Sequence, residues 1–106
     1  MSCFVVLKSA SMRIDEIYQY TLRHWGEKQA ECYIDGLFKH FKKIALGTVL
    51  MMPVPAQFGI KGVVSKYNKH YVYSKILSTG DVGIVAVLHE KMHQIECFRD
   101  DFYLGN

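Results

Sequence analysis

The sequence predicts an α+β domain: an N-terminal strand, a helical hairpin, and then a three-stranded antiparallel meander that completes one sheet. Apolar residues recur at three- and four-residue steps between positions 14 and 45, as they do in amphipathic helices. Positions 62 to 89 are rich in Val, Ile and Tyr and are divided by short polar turns, which is typical of hairpin-linked strands. The 106 residues, half of them hydrophobic, have the size of a single domain, residues 1–106, around one core.

The first strand is predicted at residues 3–7, a short run of mainly β-branched and aromatic residues. Ser11 is the predicted N-cap of the first helix, whose apolar stripe reaches Trp25 and which Gly26 stops. A second helix follows at once and continues to Gly47, so the two helices are expected to form an antiparallel hairpin. We expect Trp25 to pack in the core at the hairpin turn, with partner anchoring as the alternative.

The C-terminal half is predicted to be mainly strand. Residues 48–59 hold both prolines, Pro53 and Pro55, and show no period, which predicts a connecting loop. Strands are predicted at residues 62–67, 70–77 and 82–89, with turns between them. Residues 92–102 fit either a short helix or an irregular tail.

Charge and cysteine content restrict the function. A net charge of +3 is well short of the dense basic surface of a dedicated nucleic-acid binder. Cys3, Cys32 and Cys97 are too few and too widely spaced for a disulfide framework or a Cys-x-x-Cys metal site, so free thiols are expected. The apolar run at residues 3–7 is too short for a membrane span or a signal peptide. We expect a cytoplasmic protein without membrane contact.

A complete His-Glu-x-x-His motif occupies His89, Glu90, Lys91, Met92 and His93. This motif binds zinc when it lies in a helix, because both histidines then share one face. Here it follows a β-branched run that favours a strand, and a strand ending near His89 would point the two histidines in different directions. We therefore predict no metal and no cofactor, and keep a zinc hydrolase as a remote alternative.

A series of short motifs resembles the ParE branch of the ParE/RelE toxin superfamily over most of the chain. The order and spacing of these motifs are more specific than any one of them. The series comprises residues 24–30, then Tyr33, Ile34 and Leu37, then His70, and finally Val87, Leu88, His89, Glu90, Lys91 and Met92.

The resemblance implies the toxin half of a bacterial toxin–antitoxin pair, held in a hetero-oligomer with a cognate antitoxin. ParE toxins block DNA gyrase, which needs only a binding surface, whereas RelE-type relatives cut messenger RNA in the ribosome, which needs a general base and cations. The matched positions follow the ParE pattern, and no arginine stands between His24 and Arg99 to grip a phosphate. Gyrase inhibition is therefore favoured, and an mRNA endonuclease is the alternative.

The two functions implied by the resemblance, gyrase inhibition and mRNA cleavage, suggest different candidate site residues. Leu50, Met51, Met52 and Trp25 are the candidates for antitoxin contact. In the endonuclease alternative, His70 or His89 is the base and Lys66 or Lys91 binds the phosphate. The candidates for target binding are Lys61, Lys66, His70, His89, Lys91 and Arg99.

The chain also departs from the ParE pattern at several positions. Arginines are common in the family within the segment that corresponds to residues 60–66, which here contains Lys61 and Lys66 instead. The family also has an arginine where Ala86 stands, and an acidic residue where His93 completes the apparent zinc motif. These departures predict a toxin whose target binding is weakened, redirected or lost.

Overall fold

The computed structural model describes residues 3–59 and 61–104 and has the predicted α+β architecture. Three helices and a 3-10 turn accompany a five-stranded sheet. The elements are β1 (Phe4–Val6), α1 (Lys8–Trp25), α2 (Glu27–Leu46), β2 (Met52–Pro53), the 3-10 turn (Ala56–Phe58), β3 (Val63–Tyr67), β4 (His70–Ile76), β5 (Val82–His89) and α3 (Gln94–Leu104).

The sheet is mixed, with strand order β1-β5-β4-β3-β2. Strands β2 to β5 pair antiparallel, so the predicted meander is confirmed, and β1 pairs parallel with β5. A bulge between Tyr73 and Ser74 of β4 and the facing segment of β5 adds Val85 to the β5 side. Within the described residues, no helix is both long and apolar enough to cross a membrane.

Two apolar clusters lie on opposite faces of this sheet. On one face, α1 and α2 cover Val72, Ile84 and Val87 with side chains that include Leu37 and Phe41. On the other face, α3 and the 3-10 turn form a second cluster that contains Val54, Phe58, Tyr73, Val85, Ala86, Leu88 and Phe98. The single core expected from the sequence is therefore divided by the sheet into two layers.

The first helix begins at Lys8, four residues earlier than predicted, and its N-cap is Leu7 and not Ser11. The earlier start is explained by the bulge in β5, where the extra residue, Val85, has backbone groups outside the regular ladder of hydrogen bonds. The buried Ser9 hydroxyl donates to the Val85 carbonyl at 2.6 Å. This bond and the full burial of Ala10 hold the first turn against β5, so the chain enters the helix directly from β1.

The segment at residues 48–59 is more ordered than the predicted loop, because it contains β2 and the 3-10 turn. Pro53 lies on the edge strand, where its missing N–H removes no inner ladder bond. The Arg99 side chain donates to the Phe58 carbonyl at 2.9 Å and to the Gln57 carbonyl at 3.1 Å. The open alternative for residues 92–102 is resolved as a helix, and that helix holds this segment in place.

Candidate functional site

A groove opens between the hairpin turn of α1 and α2 and the ends of β4 and β5, with a cavity volume of about 900 Å³. Aromatic and apolar side chains from both helices line it, and polar side chains come both from the helices and from the strand ends. This volume is in the range of pockets that bind ligands or partner side chains. Its lining residues include Tyr20, Trp25, Tyr33, Lys69, His70 and His89.

A chain of polar contacts runs from α2 to the strand ends in the groove. The Tyr33 hydroxyl lies 2.6 Å from Nδ1 of His70, and the Tyr67 hydroxyl donates to the Tyr33 carbonyl at 3.0 Å. His70 and His89 face each other across β4 and β5, with ring centroids 5.2 Å apart and rings nearly perpendicular. The two histidines proposed from the sequence are therefore brought together, and α2 supplies a tyrosine to one of them.

Burial controls the protonation of this chain. Burial, with a smaller effect of neighbouring His89, lowers the pKa of His70 to about 4. Burial, followed by the neighbouring Tyr67, raises the pKa of Tyr33 to about 12, and a hydrogen bond from the Lys69 backbone opposes this rise. Near pH 7, His70 is neutral and Tyr33 keeps its proton. A phenol hydroxyl is a stronger hydrogen-bond donor than a neutral imidazole, and an imidazole nitrogen is a stronger acceptor than a phenol oxygen, so we assign the hydroxyl proton to the contact with Nδ1 of His70 and the ring proton of His70 to Nε2.

His89 has a different environment. Its Nδ1 accepts the Lys91 backbone N–H at 3.1 Å, so in the neutral ring the proton is on Nε2. The side chain is half-buried at the end of β5 and lines the groove. His89 is therefore a hydrogen-bond donor available to a bound group.

The predicted basic residues do not form one cluster. Lys66 Nζ lies 2.9 Å from a carboxylate oxygen of Glu90, and this hydrogen bond raises the pKa of Lys66 and lowers that of Glu90. Lys91 is exposed in the turn after β5, and Lys61 borders a separate cavity of about 400 Å³ beside β2. Arg99 is bonded to the 3-10 turn. None of these four lines the groove in the described residues.

The predicted antitoxin residues are also divided. Trp25 is 71% exposed and lines the groove, so the expectation that it packs in the core is wrong. Leu50 is 83% exposed and Met52 is 60% exposed, whereas Met51 is partly buried against the core. The 20 residues of α2 separate Trp25 from these three by about 30 Å along the helix. Trp25 therefore shares a surface with His70 and His89 instead.

Tyr33 belongs to the motif series found in the sequence, but the sequence did not mark it as a site residue. It lies on the apolar stripe of α2, where a tyrosine normally packs in a core. Its contact with His70 joins residues 37 positions apart, and only the folded chain brings them together. Lys69 is a second site residue whose role depends on the fold. It stands in the two-residue turn between β3 and β4 and lines the groove, whereas the nearby Lys66 pairs with Glu90.

The apparent zinc motif lacks the helix that it needs. Its first residue, His89, ends β5, and His93 follows a turn before α3 begins. Glu90 is paired with Lys66, and His93 is exposed, with Nδ1 3.8 Å from Glu96. Across residues 3–59 and 61–104, no group of three potential ligands stands at metal-binding distance.

In comparisons with known proteins, no family model and no curated protein matches this chain.

Proposed function

We propose that this chain is the toxin of a bacterial type II toxin–antitoxin system. In this proposal it acts in the cytoplasm by binding DNA gyrase, and a cognate antitoxin neutralises it in a hetero-oligomer. The proposal rests on the resemblance to ParE toxins in the order of motifs, together with the position of those motifs in the fold.

One observation carries the proposal: residues that produce the resemblance meet at one place. They are widely separated along the chain, on α1, α2, β4, β5 and the following turn. Scattered core residues would not be expected to line one solvent-accessible cavity. The shared residues that line the groove are Trp25, Gln29, Tyr33, His70, Val87, His89 and Met92.

The contacts in the groove suit binding better than cleavage. RNA cleavage needs a base beside the ribose and cations that stabilise charge developing on the phosphate. His70 is buried and bonded to Tyr33, and the Lys66 charge is neutralised by Glu90. Exposed Trp25 and Tyr20 instead resemble the aromatic anchors of protein interfaces.

The position of Ala86 supports a target surface that differs from the ParE pattern. The arginine expected there by resemblance would stand on the face of β5 that α3 covers, where Ala86 is fully buried. Burying an unpaired guanidinium in that cluster would be strongly unfavourable. We therefore propose that any gyrase contact is made through the groove and not through this face.

The proposal is tested by expressing the chain in a bacterium from an inducible promoter, with and without the gene beside it. We expect growth arrest from the chain alone and rescue by co-expression. Purified chain should inhibit supercoiling by purified gyrase in a dose-dependent manner. Unchanged growth together with unchanged supercoiling would contradict the proposal.

An mRNA endonuclease remains the second candidate, because His70 and His89 lie together beside Lys69. It predicts that arrest is accompanied by cleaved messages and that His89→Ala removes both. Intact messages in arrested cells, measured by primer extension, would exclude it.

A further inference from the structure

The groove has two chemically different ends. The end formed by α1 presents large side chains to solvent, with Trp25 71% exposed and Tyr20 57% exposed beside Ile17. Exposed aromatic groups of this kind are enriched at the centres of protein interfaces, where they bury large areas with little loss of side-chain entropy. This end is suited to large apolar side chains.

The other end is a floor of hydrogen-bond donors. His70 is only 9% exposed, and its Nδ1 is occupied by Tyr33. Its Nε2 has no hydrogen-bond partner within residues 3–59 and 61–104. In that part of the chain, every side-chain nitrogen or oxygen that is fully enclosed has a partner. Nε2 must therefore reach solvent, and the groove is the cavity that His70 lines. A buried ring thus points an N–H into the groove.

Two further groups strengthen this floor. His89 presents its Nε2 beside His70, since its Nδ1 is bonded to the Lys91 backbone. Lys69 is exposed on the groove lining and contributes a positive charge. Among the described lining residues, Glu16 is the one carboxylate, and it stands on α1 within 3.5 Å of Arg13. Glu90, whose charge acts on His70 from beside the groove, is paired with Lys66, so no lining carboxylate of the described residues stands at the floor.

We propose that the groove binds a partner protein segment in which a carboxylate is flanked by large apolar side chains. The carboxylate accepts hydrogen bonds from His70 and His89 and faces the Lys69 charge, and the apolar neighbours pack on Trp25 and Tyr20. This inference rests on the proposed function, because it describes the segment by which the neutralising antitoxin engages the toxin.

The charges favour a protein segment over a nucleic acid. A phosphate backbone would extend along the groove and meet Glu16, and it requires several unpaired cations. Of the cations in or beside the groove, Arg13 is engaged with Asp101 and Lys66 with Glu90, so the positive charge at the floor comes from Lys69. A single acidic side chain needs only the local donors at the floor.

The test uses the full chain and the peptide acetyl-Leu-Phe-Glu-Phe-Leu-amide. Trp25 is the only tryptophan, so its fluorescence reports events in the groove directly. We expect a saturable blue shift on titration, and binding at least about tenfold weaker when Gln replaces the peptide's Glu, because a charge-assisted hydrogen bond is lost. Lys69→Ala should weaken binding, whereas Lys42→Ala, an exposed lysine on the far half of α2, should not.

Calorimetry with Trp25→Ala should show loss of binding, with Ile76→Ala, an equally exposed apolar residue outside the groove lining, as the control. Equal affinity for the Glu and Gln peptides, or displacement of the peptide by an oligouridylate that binds more tightly, would overturn the inference. If the peptide does not bind while the chain still arrests growth, the groove inference fails and the toxin proposal stands. If the peptide binds and the chain does not arrest growth, the toxin proposal fails and the binding chemistry inferred for the groove stands.

Discussion

Gly36 of helix α2 lies against the side chain of Tyr67 from strand β3. A Cβ at this position would overlap the hydroxyl of Tyr67, which donates to the Tyr33 carbonyl one turn away. The bond therefore requires a residue without a side chain inside the helix, even though glycine is a poor helix former. Since the Tyr33 hydroxyl is hydrogen-bonded to His70, Gly36 helps to position this histidine in the groove through Tyr67 and Tyr33.

We expect Gly36→Ala to destabilise the protein by about 1–3 kcal/mol because the added methyl overpacks against Tyr67. Helix propensity alone would predict a gain of about 1 kcal/mol. Urea unfolding measures the difference. The double variant Gly36→Ala with Tyr67→Phe should recover part of the loss, and a stabilised single variant would contradict the close approach.

The depressed pKa of His70 makes stability depend on pH. In the unfolded chain a histidine titrates near pH 6.5, whereas in the folded chain the pKa of His70 is about 4. Between these values the unfolded chain binds a proton that the folded chain does not, so the free energy of unfolding falls as pH is lowered from 6.5 to 4. The contribution is on the order of 2 kcal/mol, allowing for solvent that reaches the ring from the groove.

The measurement compares unfolding of the wild type and His70→Gln across pH 4–7. The substitution should flatten the curve in this window relative to the wild type. Carboxylates titrate at the lower end of the window in both proteins, so the difference between the two curves is the decisive quantity.

At the scale of elements, one ion pair joins α1 to α3. Arg13 contacts both carboxylate oxygens of Asp101, at 3.0 and 3.2 Å, and Asp101 is buried. The hydrogen bond to Asp101 is the main cause that raises the pKa of Arg13. Arg13 also meets Glu16 of its own helix at 3.5 Å, but Glu16 is exposed. One guanidinium therefore has a buried partner and an exposed partner.

We expect Arg13→Ala to cost about 3–5 kcal/mol, because it leaves the Asp101 carboxylate buried without a counter-ion. Glu16→Gln should change stability by less than about 1 kcal/mol, since exposed ion pairs contribute little. Thermal unfolding of the two variants makes the comparison. Similar effects from both substitutions would mean that Asp101 is not buried as described.

The elements that could be predicted from the sequence are those with a clear period. The 82–89 strand and the two hairpin helices followed from apolar spacing. The start of the first helix was predicted wrongly, because a tertiary contact, the hydrogen bond of Ser9, sets it. The two-residue β2 was not predictable, because it exists only by pairing with β3. The same limit applies to the site: His70 and His89 were predicted singly, but the contribution of Tyr33 depends on packing between α2 and β4.

At the scale of the whole molecule, the exposed apolar residues are spread over separate surfaces. Trp25 belongs to the groove, whereas Leu50 and Met52 lie beyond the far end of α2. Exposed side chains contribute little to folding, so each surface can be tested without unfolding the protein.

We expect Trp25→Ala to change the free energy of unfolding by less than about 0.5 kcal/mol and to abolish growth arrest. Leu50→Ala is the matched control and should preserve arrest. Growth curves and urea unfolding on the same variants separate the two effects. If Trp25→Ala arrested growth as fully as the wild type, the groove would not be part of the proposed interface with the target.

The parallel pairing of β1 with β5 has a consequence for synthesis of the chain on the ribosome. Phe4 pairs with Val82, about 80 positions later, and such distant pairing slows folding. A nascent chain that ends before β5 has no partner for β1 and no strand for α1 to pack against. It also lacks His89 and half of the groove floor. Products that terminate before β5 should therefore be unfolded and, under the toxin proposal, should not arrest growth.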